Sequence, residues 1–138
     1  MFCGAVDIES IGNDGFFLAV PIGNFPFHHD GAHEVTPAHI QQMVDNFNNS
    51  GVDCLVDIDH ESLWFSTKAA GWVTELEARE NGLYAKYPDF TPNTEQAIKD
   101  REYRYFSPVY ILESIDKQGN NVGAKFDSLA LTNRPYFD

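Results

Sequence analysis

A histidine surrounded by carboxylates is the main candidate for a catalytic base. His60 follows Asp57 and Asp59 and precedes Glu61, at the point where a predicted strand runs into a loop. A carboxylate beside an imidazole orients the ring and stabilises its protonated form, as general base catalysis requires. The same residue types are typical of a solvent-exposed strand end, so the spacing alone leaves both interpretations open.

A serine in an aromatic-rich segment is the candidate nucleophile. Ser107 lies within Tyr103–Tyr110, which reads YRYFSPVY. A serine hydroxyl becomes nucleophilic only when a base reaches it at about 2.6–3.2 Å, and a strand serine before a proline is otherwise common. Pro108 has no N–H, so the residue after Ser107 cannot donate a hydrogen bond to an oxyanion. Any oxyanion hole beside this serine must come from elsewhere in the chain.

A third carboxylate, Asp127, lies within a predicted strand over residues 122–131, directly before the segment SLALTNRP. Side chains alternate between the two faces of a strand, and a carboxylate that points inward needs a polar partner. Without further context, the strand pattern favours a carboxylate that faces water.

Imidazole and carboxylate groups also form a second cluster, in one loop: His28, His29, Asp30 and His33. Such groups suit zinc or manganese, and a metal-dependent hydrolase built on His60, Asp57 and Asp59 would bind metal and lose activity with a chelator. Neither cluster has H-E-x-x-H or paired-cysteine spacing. The chain also has no glycine-rich phosphate loop and no dinucleotide fingerprint, so we predict neither a metal nor another cofactor.

Two helices are predicted, and the first has complete start and stop signals. Thr36 is a favourable N-cap, Pro37 suits the first helical position, and Gly51 follows as a C-terminal stop. One apolar stripe at helical spacing consists of Ile40, Met43, Val44 and Phe47. A second helix is predicted over residues 92–101, after Thr91.

About seven strands are predicted around these helices: residues 5–9, 16–20, 53–58, 70–77, 82–87, 103–112 and 122–131. Turn residues at 12–15 and the Asn81-Gly82 pair indicate antiparallel hairpins. Residues 21–35, which are punctuated by proline and glycine, are predicted to form a loop. Because antiparallel hairpins dominate, the expected fold is α+β or mainly β, and a barrel is one architecture that fits.

Composition excludes several classes of function. The 138 residues carry 21 acidic and 9 basic side chains, and the formal net charge of −12 argues against nucleic acid or an anionic membrane as a partner. No apolar run approaches the roughly 20 residues of a membrane span, and no signal peptide is apparent. The two cysteines, Cys3 and Cys54, are expected to be free thiols. We therefore expect a soluble, intracellular single domain over residues 1–138.

Four segments taken together resemble one protein family. In chain order they are Val56–Glu61 (VDIDHE), Ala69–Val73 (AAGWV) with Asn81–Ala85 (NGLYA), Tyr103–Val109 (YRYFSPV) and Leu129–Pro135 (LALTNRP). The ordered set resembles the phage Mu I protein family, the Mu-like prophage proteases that mature the capsid. That family is similar to the prohead proteases of other tailed phages and, more distantly, to herpesvirus assemblin. The resemblance implies a serine protease on a small, assemblin-like β-barrel wrapped by helices.

The resemblance also implies roles for the candidate residues. His60 matches the family's motif histidine and would be the general base, and Ser107 matches the serine of the motif Y-R-x-x-S-P and would be the nucleophile. Asp127 falls where related prohead proteases place the third, orienting residue, with Glu61 and Asp59 as alternatives to it.

The oxyanion candidates are Asn133 and Arg134, in the loop after the last predicted strand. The assemblin-like fold uses backbone and arginine groups from such a loop to hold the oxyanion. A contribution from this loop would also compensate for the missing N–H of Pro108.

The function implied by the resemblance is a serine endopeptidase that cleaves scaffold and capsid proteins, and itself, during phage head maturation. It would act in the cytoplasm of the bacterial host, inside assembling proheads, and the distant assemblin relatives suggest a homodimer. Family members usually continue into a scaffolding region that this chain lacks, so residues 1–138 are expected to be the N-terminal part of a longer protein. The alternative is a non-catalytic module of head assembly that binds scaffold or dimerises on the same fold.

Overall fold

The computed structural model describes residues 1–64 and 68–135. Over these ranges the protein is a mixed α+β structure, built mostly from β-sheet with two α-helices. The helices are α1 (Pro37–Ser50) and α2 (Pro92–Lys99), and two short 3-10 turns span Ile8–Ser10 and Glu61–Leu63. The strands are, in chain order, β1 (Phe2–Cys3), β2 (Val6–Asp7), β3 (Phe16–Pro21), β4 (Gly23–Phe25), β5 (His33–Val35), β6 (Cys54–Ile58), β7 (Gly71–Val73), β8 (Leu76–Arg79), β9 (Gly82–Lys86), β10 (Asp89–Phe90), β11 (Tyr105–Ile115) and β12 (Asn121–Thr132).

The described strands form three sheets and do not close into the predicted barrel. The largest sheet has the order β1-β11-β12-β6-β7-β10, with β2 also paired to β11. The second sheet has the order β3-β9-β8, and the third is the hairpin of β4 and β5. Strand β3 does not pair with the N-terminal strands β1 and β2. A groove of about 970 Å³ lies between them, and residues 3–7 line one side of this groove.

Local signals predict α1 correctly. Thr36 Oγ1 accepts from His39 N, and His39 Nδ1 accepts in return from Thr36 N, which forms a capping box. Gly51 ends the helix with a left-handed φ of 69°. The second predicted helix is confirmed as α2, which ends two residues earlier than expected. Neither α-helix of the described ranges is long and apolar enough to cross a membrane.

The strand predictions differ from the structure where pairing is not local. The segment 70–77, predicted as one strand, is divided into β7 and β8, which pair in different sheets. Residues 21–35, predicted as a loop, contain the hairpin of β4 and β5. Its strands are only three residues long and mostly exposed or half-buried, so they lack the hydrophobic alternation that identifies a strand.

Helix α1 holds β12 in the middle of the largest sheet. Asn46 donates to the carbonyls of Val122 and Ala124 at 3.0 and 2.8 Å. Gln42 accepts from Ala124 N at 3.0 Å. Gly123 has a φ of 78°, which favours glycine, and a Cβ atom there would displace the amide of the Gln42 side chain. These contacts fix β12 between β6 and β11, the two strands that carry the candidate site.

Candidate active site

The structure brings His60 and Ser107 together. His60 Nε2 lies 2.9 Å from Ser107 Oγ, although 47 residues separate them in the chain. Their strands are not adjacent, because β12 lies between β6 and β11, and Ala130 on β12 pairs with Ser107 on one side and Asp57 on the other. Directly paired residues share a sheet face, so Ser107, Ala130 and Asp57 form one row across the sheet.

A tight reversal at the end of β6 turns His60 back toward this row. Asp59 N donates to Leu131 O at 3.0 Å, and Asp59 and His60 then adopt left-handed φ values of 52° and 61°. This conformation costs a non-glycine residue about 1–2 kcal/mol. In the 3-10 turn that follows, Ser62 donates from its backbone N, at 2.9 Å, and from its hydroxyl to Asp57 Oδ2. Asp57 therefore anchors the turn that carries His60.

The His60–Ser107 pair is shielded from water. Ser107 is fully buried, and the His60 side chain is partly buried. Burial lowers the pKa of His60 below its ordinary value of 6.5 because the charged ring loses hydration, and nearby Asp57, Asp59 and Asp30 oppose this shift. The imidazole is therefore mostly neutral at pH 7, which is the state that a general base requires.

Two buried polar atoms near this pair have no hydrogen-bond partner among the described residues: His60 Nδ1 and Asp57 Oδ1. An imidazole that accepts a serine proton on Nε2 carries its own hydrogen on Nδ1, and that hydrogen needs an acceptor. Asp57 is fully buried, and among the carboxylates it has the largest effect on the pKa of His60. The two unpaired atoms are therefore complementary, one as donor and one as acceptor.

The structure does not place Asp127 beside His60. The Asp127 side chain is exposed, and the residue lies three positions before Ala130, about 10 Å along β12 from the row that contains Ser107. Its carbonyl oxygen accepts a long hydrogen bond from Cys54 Sγ at 3.6 Å. Asp127 thus lies on β12, as Ala130 does, but too far along the strand to belong to the row of Ser107, Ala130 and Asp57.

The two alternatives to Asp127, Asp59 and Glu61, flank His60 in the chain, and both are exposed. Asp59 raises the pKa of His60, but less than Asp57 does. Sequence reasoning named Asp57 as one of the carboxylates around His60 and as a possible metal ligand, but did not choose it as the third residue. The signal that identifies it here is the pairing of β6 with β12, which brings it into the row of Ser107.

Comparison with known proteins shows which family the sequence belongs to. Residues 18–138 match the family described as Mu-like prophage I protein, N-terminal domain. The chain belongs to this family. The Mu-like prophage FluMu I protein of Haemophilus influenzae is 30% identical over 141 residues, which cover 88% of this chain and 38% of that relative. The Mu-like I protein domain therefore spans less than half the length of the curated relative it matches, and no solved structure matches it.

The two oxyanion candidates of this Mu-like I protein domain have different surroundings. Arg134 lines a cleft of about 350 Å³ whose other walls are Asp59, His60 and Thr132. Asn133 instead binds the backbone just before β11. Its Oδ1 accepts from Arg104 N at 3.0 Å, and its Nδ2 donates to Glu102 O at 2.7 Å. Both polar ends of the Asn133 side chain are therefore used within the fold.

Replacing Asn133 with alanine should destabilise the Mu-like I protein domain. The change removes two hydrogen bonds at an exposed site, each of which contributes about 0.5–1.5 kcal/mol. Urea unfolding followed by circular dichroism should show a loss of about 1–2 kcal/mol in the free energy of unfolding. Asn133→Asp, which keeps the acceptor for Arg104 N, should lose less. Equal stability of Asn133→Ala and the unchanged chain would contradict this assignment.

One group of potential metal ligands in the described residues has its ligand atoms within 4.8 Å of one another: His28, His29 and Asp30. In this structure Asp30 contacts protein groups, because its Oδ2 accepts from Cys3 N at 2.8 Å and lies 3.1 Å from His29 Nε2. Among the described residues, the carboxylates around His60 do not form such a group.

Proposed function

We propose that this domain is a serine endopeptidase of phage head maturation, with Ser107 as the nucleophile and His60 as the general base. The contact of 2.9 Å between Ser107 Oγ and His60 Nε2 carries the proposal, because a base must reach the hydroxyl at hydrogen-bond distance. The lowered pKa of His60 supports it. Membership of the Mu-like prophage I protein family supports a role in a phage.

The proposed reaction is acyl transfer to water. His60 Nε2 takes the hydroxyl proton of Ser107 while Oγ attacks the scissile carbonyl carbon, so that a C–O bond forms and the carbonyl oxygen becomes an oxyanion. The C–N bond then breaks, and His60 gives the proton to the leaving amine. Water, deprotonated by His60, attacks the acyl-enzyme, and the acid product leaves as the proton returns to Ser107.

Asp57 is proposed as the orienting residue in place of Asp127. Its unpaired Oδ1 is a suitable acceptor for the hydrogen on His60 Nδ1 once a proton arrives on Nε2. Its other carboxylate oxygen already fixes the turn that carries His60, through the two bonds from Ser62. One buried carboxylate would thus position the ring and stabilise its charge.

Arg134 is the proposed oxyanion-stabilising residue, because it lines the cleft that His60 also lines. Pro108 has no N–H to donate, so a donor from elsewhere in the chain is needed. The guanidinium group is permanently charged and presents several N–H donors, which suits an oxyanion that forms only in the transition state.

The substrates and setting are proposed from the family. They are phage scaffold and capsid proteins and the protease's own chain, cleaved in the host cytoplasm inside assembling proheads, and the domain would act as the N-terminal part of a longer protein. A homodimer is proposed by analogy with assemblin. The net charge of −12 is consistent with protein substrates rather than nucleic acid or an anionic membrane.

Peptide cleavage should show an acid limb with a midpoint below pH 6.5. Only neutral His60 accepts the serine proton, and burial lowers its pKa, so the rate rises with pH through that lowered value and is level at pH 7. Cleavage of a mixed peptide library, measured by mass spectrometry from about pH 4 to 8, tests this. A midpoint above pH 6.5 would mean that the three carboxylates outweigh burial.

The same pKa shift affects stability, with a defined sign. Unfolded His60 binds a proton more readily than folded His60, so the free energy of unfolding falls as the pH drops from about 6.5 toward the lowered pKa. His60→Gln should remove this part of the pH dependence, which separates the titration of His60 from that of the other histidines.

A second candidate function rests on the burial of Ser107. A serine that is fully buried and hydrogen-bonded within the fold is also compatible with a structural role. The domain would then be a non-catalytic module that binds scaffold or dimerises during head assembly.

Reaction with a fluorophosphonate separates the two candidates. An activated serine displaces fluoride from the phosphorus atom of the reagent and is left as a stable phosphonate ester. Mass mapping after incubation should place the adduct on Ser107, and His60→Gln should prevent it. An unmodified Ser107 after prolonged incubation, with the chain still folded, would overturn the peptidase and leave the assembly module.

A further inference from the structure

We propose that the outer edge of β11 beside Ser107 is the binding site for an extended peptide substrate, and that residues 2–7 of the chain itself occupy this site. This assumes the peptidase proposed above, in which Ser107 is the nucleophile. A substrate would then have to displace the N-terminal segment, residues 2–7, before Ser107 could react.

The N-terminal segment pairs with β11 through two short antiparallel strands, β1 and β2, that share one register. Phe2 pairs with Tyr110, and Val6 pairs with Phe106 in the same register. Gly4 N donates to Pro108 O at 2.8 Å between these two pairs. The register places the Gly4-Ala5 peptide across from Ser107, where a substrate bound by strand addition would present its scissile bond.

Pro108 alters this ladder at the nucleophile. In a regular hydrogen-bonded pair, residue 108 would donate its N–H to the carbonyl of Gly4, but proline has no hydrogen to give. Gly4 O accepts instead from Ser107 Oγ, at 2.8 Å. Because of the proline, the Gly4 carbonyl of the bound segment accepts its hydrogen bond from the side chain of the nucleophile, Ser107.

This contact competes with catalysis. The Ser107 hydroxyl carries one hydrogen, and while it donates that hydrogen to Gly4 O it cannot donate it to His60 Nε2. The segment also contributes to the burial of Ser107, which is fully inaccessible to solvent. With the segment in place, the nucleophile is therefore covered and its proton is directed away from the base.

The segment is held in a way that permits release. Its inner side bonds to β11, whereas its outer side lines the groove of about 970 Å³ that separates it from β3. At its start, Phe2 stacks on His33 with ring centroids 3.8 Å apart, and Cys3 N donates to Asp30 Oδ2 at 2.8 Å. These contacts join the start of the segment to the β4-β5 hairpin, a small anchor compared with the two-sided pairing of a central strand.

A reversible cross-link in the full chain tests the proposal. Cys3 faces Val109 in a non-hydrogen-bonded pair, where Cα atoms lie about 4.5 Å apart, within disulfide range. In Val109→Cys, oxidised glutathione should join the two thiols and be reduced in exchange, and mass spectrometry confirms the bond. Reaction of Ser107 with the fluorophosphonate should fall about tenfold or more in the oxidised form and recover after reduction.

The controls separate this inference from the proposed function. Val109→Ala, treated with the same oxidant, should show no change in the rate of Ser107 labelling. Equal labelling of Ser107 in the oxidised and reduced forms of Val109→Cys would overturn the inference while Ser107 remained the nucleophile. An unlabelled Ser107 in every form would overturn both.

A substitution that weakens the contacts of the N-terminal segment should release it from β11. Phe2→Ala removes the ring that stacks on His33, and labelling of Ser107 should become severalfold faster than in the unchanged chain. Phe27→Ala is the matched control, because that ring is 97% exposed. No acceleration in Phe2→Ala, with the fold intact, would contradict displacement of the segment as the step that exposes Ser107.

Discussion

Replacement of Ser107 with alanine should abolish peptide cleavage while the domain stays folded. The variant retains His60 but has no hydroxyl to attack the carbonyl, and loss of a nucleophile of this kind lowers kcat by about 10³–10⁶-fold. The fold should lose only about 1–2 kcal/mol, since one hydroxyl that donates to Gly4 O is removed from a buried site. Cleavage of the peptide library, followed by mass spectrometry, and urea unfolding measure the two effects.

Ser128 provides a matched control for this variant. It is also a buried serine, on the neighbouring strand β12, and its hydroxyl has no hydrogen-bond partner among the described residues. Ser128→Ala should therefore cleave at the unchanged rate and be as stable as the original chain or slightly more so. Equal activity of Ser107→Ala and Ser128→Ala would exclude Ser107 as the nucleophile.

Replacement of Asp57 with asparagine should lower the cleavage rate by about 10²–10⁴-fold and shift its pH profile. The amide oxygen still accepts one hydrogen bond from Ser62, but the charge that stabilises protonated His60 is lost. Because Asp57 raises the pKa of His60, its neutralisation lowers that pKa, and the acid limb should move to lower pH. A purely structural role for Asp57 would reduce activity and stability together without moving the limb.

Asp127→Asn is the comparison that decides between the two candidates for the third residue. Asp127 is exposed and about 10 Å along β12 from the row of Ser107, so its neutralisation should change neither the rate nor the pH profile. The reverse result, a large loss in Asp127→Asn and none in Asp57→Asn, would restore the assignment drawn from related prohead proteases.

Elements with local signals are the part of the fold that sequence predicts well. Helix α1 is an example, since Thr36, Pro37 and Gly51 act within a few residues and the apolar stripe repeats along one helix face. The division of 70–77 into β7 and β8 has no such signal, because it depends on which distant strand each half meets. The barrel prediction failed for the same reason, as closure depends on whether β3 reaches the N-terminal strands.

The sequence predicted which residues form the candidate site, but not how the strands arrange them. Motif resemblance singled out His60 and Ser107, and the structure places them 2.9 Å apart. The parallel pairing of β6 with β12 is not visible in hairpin signals, so the role of Asp57 could not be derived beforehand. Of the N-terminal segment, β2 lies within the predicted strand over residues 5–9, whereas β1 was missed because Phe2–Cys3 is too short to show strand alternation.

The position of β12 determines how much of the chain must be synthesised before the candidate site can form. Ser107 lies on β11 and His60 lies just after the end of β6. These two strands do not touch each other, and both pair with β12, which follows them in the chain. A partly synthesised chain that already contains both residues therefore lacks the strand that brings them into register. Long-range pairing of this kind forms slowly compared with local structure. The candidate site is therefore complete only after the last residues of β12 have been synthesised and have paired with β6 and β11.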